Sequence, residues 1–225
     1  MSNNLDVSLF PTTREIYENE FNNILSGIAY CYKRLLKDGQ VVPPNNENRI
    51  RDVLLINYLK NRVIKEKANL NEFRFDREIQ EDATKGRVDI RVITKNDFEN
   101  DDAYYIIECK RLDNKNLTGT SGLNAEYIKE GIMRFVNVQY SSYYEINGMI
   151  GFIIEKMKIN KNISNLNNLM KTKITQANVK KQMTRLKEIK KFRYSYFSKH
   201  RTKAGNTIRL CHLMLDFSKN LECGS

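Results

Sequence analysis

The sequence predicts a single α/β domain in which helices flank a mixed β-sheet. Three observations carry this expectation. A chain of 225 residues can build one substantial core but is short for two. Apolar residues recur at helical spacing as far as Tyr58, then alternate from Phe73 onward. Past Leu112 helical and extended patterns interleave, separated by polar and glycine-containing stretches.

Taken in order, Ile16, Phe21, Ile24, Leu25, Ile28, Tyr32, Leu35 and Leu36 form one face of a first helix, read over Thr12 to Lys37, with Asp38-Gly39 as its stop. Val41-Val-Pro-Pro-Asn-Asn reads as a connector. Asn45 or Asn46 can then cap a second helix through Ile50, Val53, Leu54 and Tyr58, which puts Glu47 in its first turn. Three strands follow, over Phe73 to Gln80, Arg87 to Thr94 and Tyr104 to Leu112. The first two are joined by the turn-like Ala83-Thr-Lys-Gly86, and all three read as consecutive and antiparallel. Asn114 to Asn124 is a polar loop with Gly119 and Gly122. A helix carrying Ile128, Ile132 and Phe135 and the apolar strand Gly148 to Ile154 come next. Asn160 to Lys191 reads as mostly helical and strongly basic, and Phe192 to His200 with Ile208 to Phe217 as a hairpin around Ala204-Gly205. The expected organisation is one domain: an N-terminal helical extension over 1–45, a core over 46–155, and a basic helix plus C-terminal hairpin over 156–225.

No apolar run approaches the roughly 20 residues of a membrane-spanning helix, and Met1-Ser-Asn-Asn lacks the start of a secretory signal, so the chain is expected in the cytoplasm, away from membranes. Cys31, Cys109, Cys211 and Cys223 form no Cys-x-x-Cys pair, and His200 and His212 have no metal-ligand spacing. Neither a zinc site nor a disulfide is expected. With two histidines in the chain, enzymes built on a histidine general base are disfavoured, which leaves carboxylates and lysines to carry any chemistry. Thirty-eight Lys and Arg against 27 Asp and Glu give a net charge of +11. The segment from Lys156 to Lys203 holds fifteen of those cations and one acid, Glu188, leaving +14 there and −3 elsewhere. So uneven a distribution favours a nucleic-acid-facing surface, around Lys180, Lys181, Arg185, Lys187 and Lys191, over a merely solvated helix.

The strand Tyr104-Tyr-Ile-Ile-Glu-Cys-Lys110 places Glu108 and Lys110 on one face and Ile107 and Cys109 on the other. Ions in an apolar strand persist where they satisfy each other, serve a metal or line a solvent cleft. In the preceding strand Val88, Ile90 and Val92 share a face, which leaves Asp89 on the opposite one, and hairpin pairing lets Asp89 and Glu108 converge. Two convergent carboxylates suit a hard divalent cation such as Mg²⁺, and an adjacent ammonium suits a developing phosphate charge. The bland alternative is an ordinary ion-pair cluster, with Asp89 held by Arg87 or Arg91 and Glu108 by Lys110.

Asp89 within Gly86-Arg-Val-Asp-Ile, followed by Glu108-Cys-Lys110 at the end of an apolar strand, resembles the PD-(D/E)XK nuclease superfamily, to which restriction endonucleases and many bacterial defence and repair nucleases belong. The order helix, three strands, helix and strand from Glu47 to Ile154 is similar to that superfamily's core and covers roughly half the chain. Val88 stands before Asp89 where the motif is named for Pro, a common departure. The resemblance implies a restriction-endonuclease-like core in which Asp89 and Glu108 ligate Mg²⁺, with Mn²⁺ as a substitute, the Cys109 carbonyl adds a ligand, and Lys110 acts on the nucleophile. It also implies a phosphodiesterase acting on nucleic acid, duplex DNA foremost, in a setting such as anti-phage defence, as a homodimer or a subunit of a defence complex. Some similar nucleases place a helix-borne glutamate at the metal, which makes Glu47 a candidate beside its simpler role at a helix N-terminus. In such nucleases the helix after the motif lines the site. Arg134 there can hold a phosphate or be a surface cation, and Tyr127 and Tyr140 read as core-edge residues. Glu78, on the first strand, is a minor candidate for a supplementary acid. The first helix could supply a dimer interface. The rival readings are a non-catalytic nucleic-acid-binding module and a protein-interaction subunit on the same fold.

Overall fold

The structure, a computed structural model, describes residues 13–42, 46–80, 87–94, 104–140, 142–189 and 191–222, with the backbone alone described at 13 and 78–80. Helix α1 (Thr13–Lys37) carries its apolar residues at three- and four-residue spacing. Phe21, Ile24, Leu25, Ile28 and Leu35 are buried in the protein's own core. The apolar face of the helix is thus used within the chain, while Ile16 and Tyr30 on the same helix stay exposed. The helix ends as read, at Gly39 with φ of +67°. There the Gln40 amide donates to Leu35 O and the Gly39 amide to Leu36 O, the paired bonds of a glycine-stopped helix.

Helix α2 (Glu47–Leu54) starts at Asn46, whose side chain accepts from the Arg49 amide at 3.0 Å. It runs on as a π turn over Leu55–Leu59, and a short helix α3 (Arg62–Lys67) follows. Strands β1 (Phe73–Gln80), β2 (Arg87–Thr94) and β3 (Tyr105–Leu112) have almost the bounds that alternation predicted, and they pair antiparallel in sequence order. The Ala83 to Gly86 turn lies outside the described residues. The next helix is continuous: α4 (Leu123–Glu126), a π turn over Tyr127–Ile132, then α5 (Met133–Val136). It crosses to β4 (Ile146–Ile153), which lies parallel to β3 as a crossover helix requires.

The basic segment departs from the sequence expectation. Its α-helical part is α6 (Ile159–Thr172). After a 3₁₀ turn at Thr175–Ala177, residues Val179–Arg185 form strand β5. Strands β6 (Ser195–Arg201) and β7 (Thr207–Asp216) make the expected hairpin. The seven strands form one mixed sheet in the order β1-β2-β3-β4-β7-β6-β5. The expected basic helix is thus half helix and half edge strand, because lysine side chains suit a solvent-facing sheet edge as well as a solvated helix. Helices α1 and α2 cover one face of the sheet, with Phe21, Ile28, Leu54, Ile107 and Leu213 in one core. The helices α4 to α6 cover the other, with Ile128, Phe135, Leu166, Ile106 and Met149. Among the described residues no helix is long and apolar enough to cross a membrane.

Candidate functional site

The β2–β3 ladder runs from Val92↔Tyr105 to Ile90↔Ile107, so Asp89 and Glu108 stand opposite each other just past its last rung. Ile90 and Val92 pack into one core and Val88 into the other, so the alternation read from the sequence breaks at Asp89. The Asp89 carboxylate takes over where the main chain stops pairing. Its Oδ2 accepts from the Cys109 amide at 2.8 Å. Its Oδ1 accepts from Arg51 Nη1 at 3.0 Å, not from Arg87 or Arg91. Arg51 lies one turn beyond Glu47 on α2, is 1 % exposed, and also holds Asp52 through Nε and Nη2 at 3.0 and 2.9 Å.

Glu47 reaches β3. Its Oε1 accepts from Lys110 Nζ at 3.1 Å and its Oε2 from the Arg111 amide at 2.8 Å. Lys110 Nζ also donates to the Cys109 carbonyl at 2.8 Å and lies 2.8 Å from Glu108 Oε1. Three oxygens from two elements thus enclose one ammonium. Glu108 is fully buried. Its Oε1 meets Lys110 and, at 3.2 Å, Arg134 by charge alone, with no well-aligned hydrogen bond. The Tyr140 hydroxyl lies 2.8 Å from both Glu108 Oε2 and Arg87 O and accepts from Arg134 Nη1 at 2.6 Å. Tyr140 has one proton for two acceptors. A protonated Glu108 resolves this, donating to Tyr140 while Tyr140 donates to Arg87 O.

The electrostatics agree with that arrangement. Burial and the nearby Asp89 push Glu108 up, Lys110 and Arg134 pull it down, and the balance lies at about 7. Burial disfavours the Lys110 ammonium, but Glu108, Glu47 and Asp89 outweigh it and hold Lys110 above the ordinary lysine value. Lys110 is therefore a cation, not a proton acceptor. Burial also raises the Cys109 thiol far above the ordinary range, so its contribution to the site is the carbonyl. The helix above comes close because residue 131 is glycine: a Cβ there would stand 2.5 Å from Met149 Cε and 3.4 Å from Lys110 Cγ. The π turn at Tyr127–Ile132 widens the helix at this crossing, as such turns often do beside functional sites.

Among the described residues no three His, Cys, Asp or Glu side chains gather closely enough to hold a metal ion by themselves, because Asp89 is turned to Arg51 and Lys110 fills the space between Glu47 and Glu108. The donors are nevertheless of one kind. Asp89, Glu108 and Glu47 carboxylates and the Cys109 carbonyl are all hard oxygen ligands, and Glu108 Oε1 is a buried oxygen without an aligned donor. The set fits a hard divalent cation by its chemistry, with the Lys110 ammonium standing in as the cation the oxygens enclose.

Other residues singled out in the sequence are dispersed. Arg134 is at the site but engaged with Glu108 and Tyr140. Lys180, Lys181 and Arg185 lie on β5, on the far edge of the sheet, and Lys187 and Lys191 lie in the turn beyond it. Lys181 covers the Phe197 ring at 4.5 Å. The side chain of Glu78 lies outside the described ones, as does Cys223. Sequence reasoning did not place Arg51 or Tyr140 in the site. A basic residue between Ile50 and Leu54 and four after Glu47 was the signal for Arg51.

A second polar system lies under the helix. His200 Nδ1 donates to Ala177 O at 2.7 Å, an acceptor only, which fixes every proton in the chain beyond it. Ser198 donates to His200 Nε2 at 2.7 Å, His212 Nε2 to Ser198 at 2.8 Å, and Tyr127 to His212 Nδ1 at 2.9 Å. Burial lowers His200 to about 4 and His212 well below its ordinary value, so both are neutral and structural.

Comparison with protein-family models, curated proteins and solved structures finds no match to this chain.

Proposed function

We propose that this protein is a Mg²⁺-dependent nuclease that hydrolyses phosphodiester bonds, with Asp89, Glu108, Glu47 and the Cys109 carbonyl holding the ion. The observation that carries the reading is the cluster of oxygens from α2 and β3 around one cation, with Asp89 across the end of the β2–β3 ladder. Such an ion supplies Lewis acidity, activating water and polarising the phosphodiester. Hydrolysis adds water across the P–O ester bond and leaves a phosphomonoester and an alcohol. Lys110, held as an ammonium, neutralises charge on the phosphoryl oxygens or orients the attacking hydroxide. Glu108, raised to about 7 by burial and Asp89 in the metal-free protein, would give up its proton on holding the ion. Arg134, 31 % exposed at its side chain, is the cation that can turn from Glu108 to a bound phosphate.

The arrangement resembles the PD-(D/E)XK superfamily, and the restriction-endonuclease-like assignment, the duplex-DNA preference, the dimer and the defence setting stand on that resemblance. The positive edge strand supports a polyanionic substrate. Calorimetric titration with Mg²⁺ tests the ligand set: wild type is expected to bind, and Asp89→Ala and Glu108→Ala to lose binding. Equal affinity in all three removes these carboxylates from the metal. Nucleic-acid binding without metal binding would favour a non-catalytic module.

A further inference from the structure

Beyond the catalytic oxygens, the turn between β5 and β6 encloses an open cavity of about 460 Å³ lined by Arg185, Lys187, Ile189, Lys191, Phe192 and Arg193. Among the described residues its polar lining is four cations and no acid. Glu188, the acid of this turn, is exposed and stands outside the lining. Ile189 and Phe192 are buried and form an apolar floor. Two of the cations are held by groups that do not neutralise them: Arg185 Nη2 donates to Phe192 O at 3.0 Å, and the Arg193 guanidinium lies 4.6 Å from the Tyr194 ring. A further ammonium, Lys33, donates to the Lys191 main-chain carbonyl at the same turn. Four like charges around one cavity repel each other, and an anion relieves the repulsion.

The register places this cavity relative to the catalytic residues. Glu108 pairs with Met149, Met149 with His212, His212 with Tyr196, and Tyr196 with Arg185. Arg185 therefore lies on the same transverse row as Glu108, four strands away at about 4.8 Å each, or ~19 Å. The turn beyond Arg185 emerges at the same end of the sheet as Lys110 and Arg111, because β3, β4, β7 and β5 all run toward that end.

We propose that this cavity binds a backbone phosphate of the nucleic-acid substrate, remote from the bond that is cut. The proposal rests on the nuclease reading for the identity of the polyanion. Two guanidinium groups provide planar donors for phosphate oxygens and two lysines add point charge. At 3.4 Å of rise per base pair, ~19 Å along the duplex axis corresponds to about six base pairs, over half a helical turn, so the anchored phosphate belongs to the strand opposite the scissile one. The site thus gives the protein a minimum substrate length independent of base sequence.

The test uses the full chain and a duplex of about two helical turns, roughly 20 base pairs, bound in Ca²⁺ to suppress cutting and followed by fluorescence anisotropy over a salt series. Lys187→Gln/Arg193→Gln alters two exposed side chains. The variant should bind more weakly, with a log-log salt slope shallower by about 0.9 for each phosphate it no longer neutralises. A neutral methylphosphonate placed in the opposite strand about six base pairs from the cleavage position should weaken wild type and leave the variant unaffected. Unchanged affinity and slope overturn the phosphate site and leave the nuclease reading standing. The expected slope change in a protein that cuts no nucleic acid in Mg²⁺ supports the phosphate site and overturns the nuclease reading. Preference for anionic phospholipid vesicles over duplex, abolished in the variant, overturns the assignment to nucleic acid.

Discussion

Arg51→Met removes the guanidinium bonded to Asp89 Oδ1 while keeping a long apolar stem in the buried position. Asp52 keeps its bond from Arg77 at 2.9 Å, so the variant mainly strips Asp89, whose side chain is 15 % exposed and retains the Cys109 amide. Breaking a buried pair from one side costs about 3–5 kcal/mol, because the remaining charge is left uncompensated. The retained amide and partial exposure put the expected loss near the lower end, about 3 kcal/mol. For a chain of this size that is a fall in Tm of roughly 6–12 °C. Urea unfolding followed by circular dichroism, in EDTA and again in excess Mg²⁺, measures it. In EDTA the full loss is expected. In Mg²⁺ the difference should narrow, since a cation at Asp89 restores the missing charge and stabilises only the folded state. A loss under about 1 kcal/mol in EDTA would refute the claim that Arg51 compensates a buried carboxylate, and an identical difference in both conditions would refute a metal at Asp89.

Lys110→Ala should retain Mg²⁺ binding by calorimetry and lose single-turnover cleavage, and Lys110→Arg should not fully restore it, because the planar fork does not fit the oxygens around Nζ; wild-type cleavage by Lys110→Ala would reduce Lys110 to an ion-pair partner. Glu108 is raised to about 7 in the folded protein, so its contribution is present below the unfolded carboxyl value and is lost as pH rises through 7. Metal-free Glu108→Gln should therefore resist urea better than wild type above pH 7, with the advantage shrinking as pH falls, and a pH-independent advantage would show that Glu108 is ionised throughout. His200 is lowered to about 4 and His212 is also lowered, so their contribution is complete above the unfolded histidine value of about 6.5 and is lost as pH falls through 4. Thermal melts from pH 7 to 4 should show that loss, and ¹⁵N spectra should show neutral rings until it occurs; protonation near 6.5 with no loss would contradict the buried chain.

The parts of the fold that were legible are those where local pattern and burial agree. Strands β1 and β2 alternate because mainly one side of each packs on a core, β3 is an apolar run buried on both faces, and Asn46 and Gly39 are start and stop signals of short range. Strand β5 was hidden because in Val-Lys-Lys-Gln-Met-Thr-Arg only Met183 is buried, so an edge strand held by main-chain pairing to β6 leaves little side-chain signal. The Asp89, Glu108 and Lys110 set was legible from strand geometry. Its supports were not, since Arg51 meets Asp89 across 38 residues of sequence and Tyr140 meets Glu108 across 32, pairings that exist only once α2 and the post-motif helix have docked. Glu47, read either as a helix-end residue or as a metal ligand, stands at the helix end and beside Lys110. It lies in the first turn of α2 and bonds Lys110 and the Arg111 amide.

The central claim is tested most directly by incubating the purified chain with plasmid, linear duplex and RNA in EDTA, Mg²⁺ and Mn²⁺, alongside Glu108→Gln. Glu108→Gln preserves the size of the side chain and removes its charge. The account predicts phosphodiester cleavage by wild type in Mg²⁺ or Mn²⁺, none in EDTA, and none by the variant in any condition. Cleavage that persists in EDTA or in Glu108→Gln, or a folded wild-type protein that binds Mg²⁺ and duplex yet cuts nothing, would contradict it.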